Sequence, residues 1–201
     1  MIAIIDYGVG NLFSLHQSFL KIGADTVVTG DPSVIKSADR VILPGVGAYG
    51  EASEKIRNTG LDKVVREVVS DGKPLLGICL GMQLLFEYGS EFGHNEGLGL
   101  LKGHVKTMRD EIGDGLKLPQ IGWNALDIKK QNKLFKYINN RDHVYFVHSY
   151  HAVDCGDSLV ATTEYGAEIT AAVARDNVYG CQFHPEKSGD VGLKILKGFL
   201  D

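Results

Sequence analysis

Three compact apolar runs punctuate the first part of the chain: IAIID (2–6), RVILPG (40–45) and KPLLGIC (73–79). They are nearly continuous in their apolar residues, as strands covered on both faces are. Between them the period changes. Leu12, Leu15, Phe19 and Ile22 fall at helical spacing, and Leu61, Val64, Val65 and Val68 share one helical face. LGMQLLFEYG (80–89) reads as a further helix closed by Gly89. Strand and helix in this alternation predict an α/β fold, an open, mostly parallel sheet with helices on both faces.

The later part is patterned differently. Residues 89–103 and 109–118 are rich in glycine and charge and read as loops. VYFVHSYHAV (144–153), LVATTEY (159–165), ITAAVAR (169–175) and NVYGCQF (177–183) follow at hairpin spacing, which predicts an antiparallel extension. An amphipathic helix over roughly 190–200 carries Val191, Ile195 and Phe199. No repeat, low-complexity segment or linker interrupts the pattern, so residues 1–201 are expected to form a single domain.

Composition narrows the function classes. A net charge of −4 gives no reason to expect nucleic acid or an acidic membrane as partner. No apolar run reaches the length of a membrane span. The opening MIAIIDYGVGN lacks a basic leader and reads as a first core strand rather than a signal peptide. The three cysteines, Cys79, Cys155 and Cys181, form no CxxC pair and are odd in number, which argues against a disulfide framework. A reducing cytoplasm is the expected compartment.

Gly77-Ile78-Cys79-Leu80-Gly81 has the G-x-nucleophile-x-G spacing of a strand-to-helix elbow. At such a turn tip, side chains two residues to either side would collide. Cys79 would stand at a helix N-terminus, where the dipole favours thiolate, with the N–H of Leu80 aimed at an oxyanion. On the pentapeptide alone, a buried structural thiol fits equally well. A base is offered by QFHPEKSG (182–189): His184 and Glu186 are two apart, and on an extended segment held by Pro185 they would share a face. Alone, that segment fits an incidental His-x-Glu on a surface turn better, and it is the elbow taken with it that makes the pair telling. The stretch LPGVGA (43–48), just past a core strand, can bring backbone N–H groups to a ligand, with a second oxyanion donor expected at Val46 or Gly47; by itself it fits an ordinary tight turn equally well.

Other patterns lead nowhere. Gly8-Val9-Gly10 lacks the third glycine of a dinucleotide fingerprint, since Phe13 stands in its place. Cys181 and His184, and His148 and His151, are three apart in strand-like runs, which sends their side chains to opposite faces and argues against zinc. One of His148 and His151 is expected near the site and the other on the surface. The lysines of KKQNKLFK (129–136) read as a solvated face. No cofactor or metal is expected.

Taken together, PGVGAYG, GICLGMQLLF and FHPEKSG resemble the class I, triad-type glutamine amidotransferases. DYGVGNLFSL, LPQIGWN (118–124), VYFVHSY (144–150) and GLKIL are similar to the subfamily of glutaminase subunits of imidazole glycerol phosphate synthase, which serves histidine biosynthesis. One departure is Gln120, where that subfamily usually carries histidine. The resemblance implies a flavodoxin-like fold and L-glutamine as substrate. It gives Cys79 the role of nucleophile, His184 of acid–base and Glu186 of orienting carboxylate, with an oxyanion hole from Leu80 and the Val46–Gly47 region. It places Gly47, Gln83, Ser149 and Tyr150 at the glutamine. It implies a heterodimer with a (β/α)8-barrel cyclase that takes the ammonia through a tunnel, with Gly10, Asn11, Trp123, Tyr145 and Lys187 at the docking face or tunnel. Two readings compete: a glutaminase feeding a different acceptor in a sugar or vitamin pathway, and a non-catalytic redox sensor. His184-Pro185-Glu186 argues against the sensor, which has no need of an oriented base.

Overall fold

The computed structural model describes residues 1–201. The first part runs β1 (Ile2–Ile5), α1 (Leu12–Lys21), β2 (Thr26–Thr29), α2 (Pro32–Ser37), β3 (Arg40–Leu43), α3 (Tyr49–Asn58), α4 (Leu61–Ser70) and β4 (Leu75–Ile78). The middle comprises α5 (Leu80–Gln83), β5 (Tyr88–Gly89), β6 (Asn95–Glu96), β7 (His104–Thr107), α6 (Arg109–Ile112), β8 (Gln120–Ala125) and β9 (Asp127–Ile128). The chain ends with β10 (His143–His148), β11 (Tyr150–Val153), β12 (Leu159–Glu164), β13 (Glu168–Arg175), β14 (Val178–Cys181) and α7 (Gly189–Leu200).

Eight strands form the central sheet in the order β2-β1-β3-β4-β14-β13-β12-β9. The first five are parallel and the last three antiparallel. Strand alternation splits the apolar runs between two cores. Ile2, Ile4, Ile42, Leu76 and Ile78 face Leu15 and Phe19 of α1 and Ile195 and Phe199 of α7. Ala3, Ile5, Val41, Leu43 and Leu75 face α2, α3 and α4, through Ile35, Ile56, Val65 and Val68 among others. Each fully buried Leu, Ile or Phe contributes roughly 1.5–3 kcal/mol, and the double coverage requires the continuous apolar strands seen in the sequence.

The structure corrects three sequence expectations. The run 144–153 is not one strand of a hairpin series. It breaks at Ser149, whose carbonyl accepts from the Met108 N–H at 2.9 Å. β10 then pairs with β8 as a separate ribbon, and β11 joins a four-stranded sheet β11-β7-β5-β6. The helix expected over 80–89 stops at Gln83, and Gly89 lies in β5. The carbonyls of Leu84, Leu85, Phe86 and Glu87 accept from the N–H groups of Leu98, Leu100, Gly99 and Gly97 at 2.7–2.9 Å, so the backbone is held by a crossing segment instead of by its own next turn. The stretches read as loops also contain β5, β6 and α6. No helix is long and apolar enough to cross a membrane.

Candidate active site

The elbow after β4 is built by exclusion. Cys79 adopts φ 55° and ψ −113°, a conformation that costs a non-glycine residue on the order of 1–3 kcal/mol. It is held there by its N–H, donated to the Cys181 carbonyl at 2.8 Å, and by its carbonyl, which accepts from Gln83 N–H at 3.2 Å. A Cβ at Gly81 would lie 1.9 Å from the Leu43 carbonyl oxygen, and one at Gly77 would lie 2.7 Å from that of Gly81. Only glycine at both positions lets the turn wedge against β3.

His184 follows β14 and reaches the elbow from the neighbouring strand. Its N–H donates to the Tyr145 carbonyl at 2.9 Å, and its Nδ1 lies 2.8 Å from Glu186 Oε1 with both side chains buried. The contact is made differently from expected. Residues Pro185–Lys187 form a single 3-10 turn, not an extended segment, closed by Lys187 N–H to the His184 carbonyl at 3.0 Å. The fixed φ of Pro185 suits the first position of such a turn. Nε2 of His184 is buried without a partner inside accepted hydrogen-bond geometry, and Cys79 lines the same cavity. Burial opposes the imidazolium, but the Cys79 sulfur and the Glu186 carboxylate outweigh it and push the His184 pKa up to about 10.

A cavity of about 290 Å³ opens over Cys79 and His184, lined by Val46, Gly47, Leu80, Gln83, Ser149 and Tyr150. The N–H groups of Val46, Gly47 and Ser149 have no acceptor within the protein and are free for a ligand. The N–H of Leu80 is not: it donates to the Gly45 carbonyl at 3.3 Å. Gln83 is equally committed, its Nε2 donating to the Tyr150 carbonyl at 3.0 Å and to Gln182 Oε1 at 2.9 Å.

Two further residues at the site, Glu91 and Gln182, escaped the sequence reading. Glu91 lines it while Oε2 accepts from the Tyr49 N–H at the start of α3, at 2.7 Å. It sits in a glycine- and charge-rich stretch with no period to flag it. Gln182, fully buried, donates from Nε2 to Cys79 Sγ at 3.7 Å; its place directly before FHPE was the available signal. His148 also lines the cavity, with Nδ1 2.8 Å from the Tyr150 carbonyl, and burial pushes its pKa down to about 4.

The remaining sequence candidates flank this site. Gly10 packs on Pro44, at the root of the Val46 loop, where a Cβ would come within 3.1 Å. Asn11 precedes α1 without capping it through its side chain. Trp123, half exposed, meets Tyr145 edge-to-face at 6.1 Å, and the Lys187 ammonium lies 5.9 Å over the Tyr145 ring. That cluster is tied to the histidine: Tyr145 N–H donates to Ser188 Oγ at 2.9 Å, and Ser188 Oγ donates to the His184 carbonyl at 2.6 Å. Gln120 is buried opposite His148 across β8 and β10, bonded through Nε2 to Asn124 Oδ1 at 2.9 Å.

One minor expectation fails and another holds in part. Neither His148 nor His151 is on the surface: His151 is buried under α6, 3.4 Å from Glu111 Oε2. Lys129, Lys130 and Lys136 are exposed as a solvated face would be, while Lys133 is half-buried over the rings of Tyr179 and Phe199 at 4.5 and 5.4 Å.

The family model for glutamine amidotransferase class-I matches residues 3–201. The chain is 50% identical to an imidazole glycerol phosphate synthase subunit HisH from Sulfurimonas denitrificans, covering 99% of this chain and 97% of that one. It is 47% identical to the subunit of the same description from Lactococcus lactis, over 100% and 98%. Among solved structures, a glutamine amidotransferase superposes with a TM-score of 0.77 at 18% identity over the full length of both chains. PurLQS from Thermotoga maritima superposes with 0.76 at 19%, over 99% of this chain and 96% of that one. The chain belongs to the class I glutamine amidotransferase family.

Proposed function

We propose that residues 1–201 form one glutaminase domain, the glutaminase subunit of an imidazole glycerol phosphate synthase in histidine biosynthesis. The observation that carries this reading is the near-complete overlap, at about 50% identity, with curated subunits of that description. The geometry supports the chemistry. The Cys79 sulfur attacks the side-chain amide carbon of L-glutamine, and the carbonyl oxygen becomes an oxyanion. His184 takes the thiol proton and delivers it to the departing nitrogen, so the C–N bond breaks and ammonia leaves. Glu186 holds the imidazole and stabilises its cation. Water, activated by His184, then cleaves the γ-glutamyl thioester to glutamate.

Around the reacting atoms, the free N–H of Val46 or Gly47 supplies one oxyanion donor, and the Leu80 N–H supplies the other once the Gly45 carbonyl is withdrawn. Ser149 and Tyr150 meet the substrate's backbone end, and the Glu91 carboxylate matches its ammonium group. Gln83 shapes the floor from beneath Tyr150. Ammonia released to water would mostly become ammonium, so a cytoplasmic (β/α)8-barrel cyclase docks over Gly10, Asn11, Trp123, Tyr145 and Lys187 and takes it directly. None of these steps calls for a metal or cofactor.

The test is glutamate release measured with and without that cyclase and its phosphorylated ribulosyl ligand. Cyclase-stimulated hydrolysis is expected. A folded, cyclase-binding protein that shows no stimulation overturns the reading. The Cys79→Ala variant is expected to lose glutamine-dependent synthesis while the complex still uses added ammonium salt.

A further inference from the structure

Beneath the nucleophile lies a pair of buried amides that neither the triad nor the oxyanion loop accounts for. Gln182 is fully buried and Gln83 nearly so. Gln83 Nε2 donates to the Tyr150 carbonyl at 3.0 Å and to Gln182 Oε1 at 2.9 Å, and Gln182 Nε2 donates to Cys79 Sγ at 3.7 Å. The direction of this chain is fixed by chemistry. A carbonyl oxygen can only accept, so the nitrogen end of Gln83 must face Tyr150. Its second N–H then requires an oxygen from Gln182, which turns the nitrogen end of Gln182 toward the sulfur. Reversing Gln182 would set N–H against N–H in a dry site, and burying unpaired amide groups costs about 1–3 kcal/mol each.

We infer that Gln182 is a positioning residue for the glutaminase reaction: its side-chain N–H holds the Cys79 sulfur toward the cavity and favours its anionic form, in line with the substrate-binding Tyr150 strand through Gln83. A hydrogen bond to a charged form favours that form, and sulfur gains most from a donor as thiolate. Tyr150 lies on the cavity wall, so the wall that meets substrate and the nucleophile that attacks it are joined by three hydrogen bonds. His184 is left to move the proton, with Gln182 holding the sulfur.

The inference rests on Cys79 being the nucleophile, but its test needs no glutamine turnover. Gln182→Met is close in volume and removes the donor to sulfur without placing a charge or a proton beside it. The rate of Cys79 alkylation by iodoacetamide, followed against pH in the folded variant, is expected to shift its midpoint toward alkaline by about one pH unit. In the cyclase complex, kcat is expected to fall roughly tenfold or more with KM for glutamine within about threefold, because Gln83 and Tyr150 keep their bond. If the variant does not fold, the wild-type and Cys79→Ala proteins decide the matter by NMR. The Gln182 side-chain amide resonance should shift and exchange faster with water when the sulfur is removed. An unchanged alkylation profile in a folded Gln182→Met protein, or an unchanged Gln182 amide in Cys79→Ala, overturns the inference. Either failure leaves the hydrolysis test of the glutaminase reading intact.

Discussion

The two walls of the site are both glycine-rich, yet they are built in opposite ways. At the elbow, Gly77 and Gly81 have no room for a methyl group: the atoms a Cβ would meet are backbone, at 2.7 and 1.9 Å. Across the cavity, Gly47 sits at φ 97° with nothing within 4 Å of its would-be Cβ, and Val46 is 43% exposed. Glycine serves close packing on one wall and backbone freedom on the other. The elbow is therefore the fixed part, with Gly45 packed against it, since its Cβ would lie 2.8 Å from the Gly81 nitrogen, and Val46–Gly47 is the part with room to turn. The hydrogen bond from Leu80 N–H to the Gly45 carbonyl gives the loop something to do: until that carbonyl rotates away, one expected oxyanion donor is occupied.

The largest expected effect comes from breaking the fixed wall. Gly81→Ala sets a methyl carbon against the Leu43 carbonyl oxygen in the middle of the sheet. A loss of roughly 4 kcal/mol or more is expected, a large share of a typical domain's stability. Urea unfolding measures it; a loss below about 1 kcal/mol would mean the elbow has slack.

A second, intermediate effect concerns His148, under the Tyr150 strand. Its folded pKa of about 4 lies below the ordinary 6.5 because burial excludes the imidazolium. Between these values the unfolded chain binds the proton and the folded one does not, so stability is full above about pH 6.5 and falls as the pH drops toward 4. The loss reaches about 3 kcal/mol, and His148→Asn, which keeps a donor for the Tyr150 carbonyl, is expected to flatten that part of the pH–stability curve. An unaltered curve would show that His148 is not the titrating group.

The smallest effect is expected on the mobile wall. Gly47→Ala meets no atom, so only the left-handed backbone conformation is penalised, by roughly 1–2 kcal/mol. The protein should fold and bind the cyclase, while cyclase-stimulated glutamate release falls more than stability does. Stability and hydrolysis falling in step would argue that the loop is only a structural turn.

Much of the architecture was legible because double burial leaves a strong mark. IAIID, RVILPG and KPLLGIC became β1, β3 and β4 as their continuous apolar runs require. α3 left a faint mark, since charged residues separate Tyr49, Ala52 and Ile56. The break at Ser149 and the early end of α5 were invisible because distant backbone decides both: Met108 in one case, Leu98–Leu100 in the other. The site divides along the same line. Cys79, His184 and Glu186 announce themselves by local spacing, and the structure brings Cys79 and His184 to one cavity with Glu186 on the histidine's Nδ1. Glu91 and the occupied N–H of Leu80 depend on contacts between segments far apart in sequence, which no local pattern encodes.

The assignment of Cys79 as nucleophile is tested most directly by labelling. A chloroketone analogue of glutamine presents an electrophilic carbon where the amide would sit, and the labelled peptide can be mapped by mass spectrometry. Stoichiometric modification of Cys79 is expected, prevented by excess glutamine and faster in the cyclase complex. Labelling at Cys155 or Cys181, or full protection of Cys79 in a protein that still hydrolyses glutamine, would contradict it.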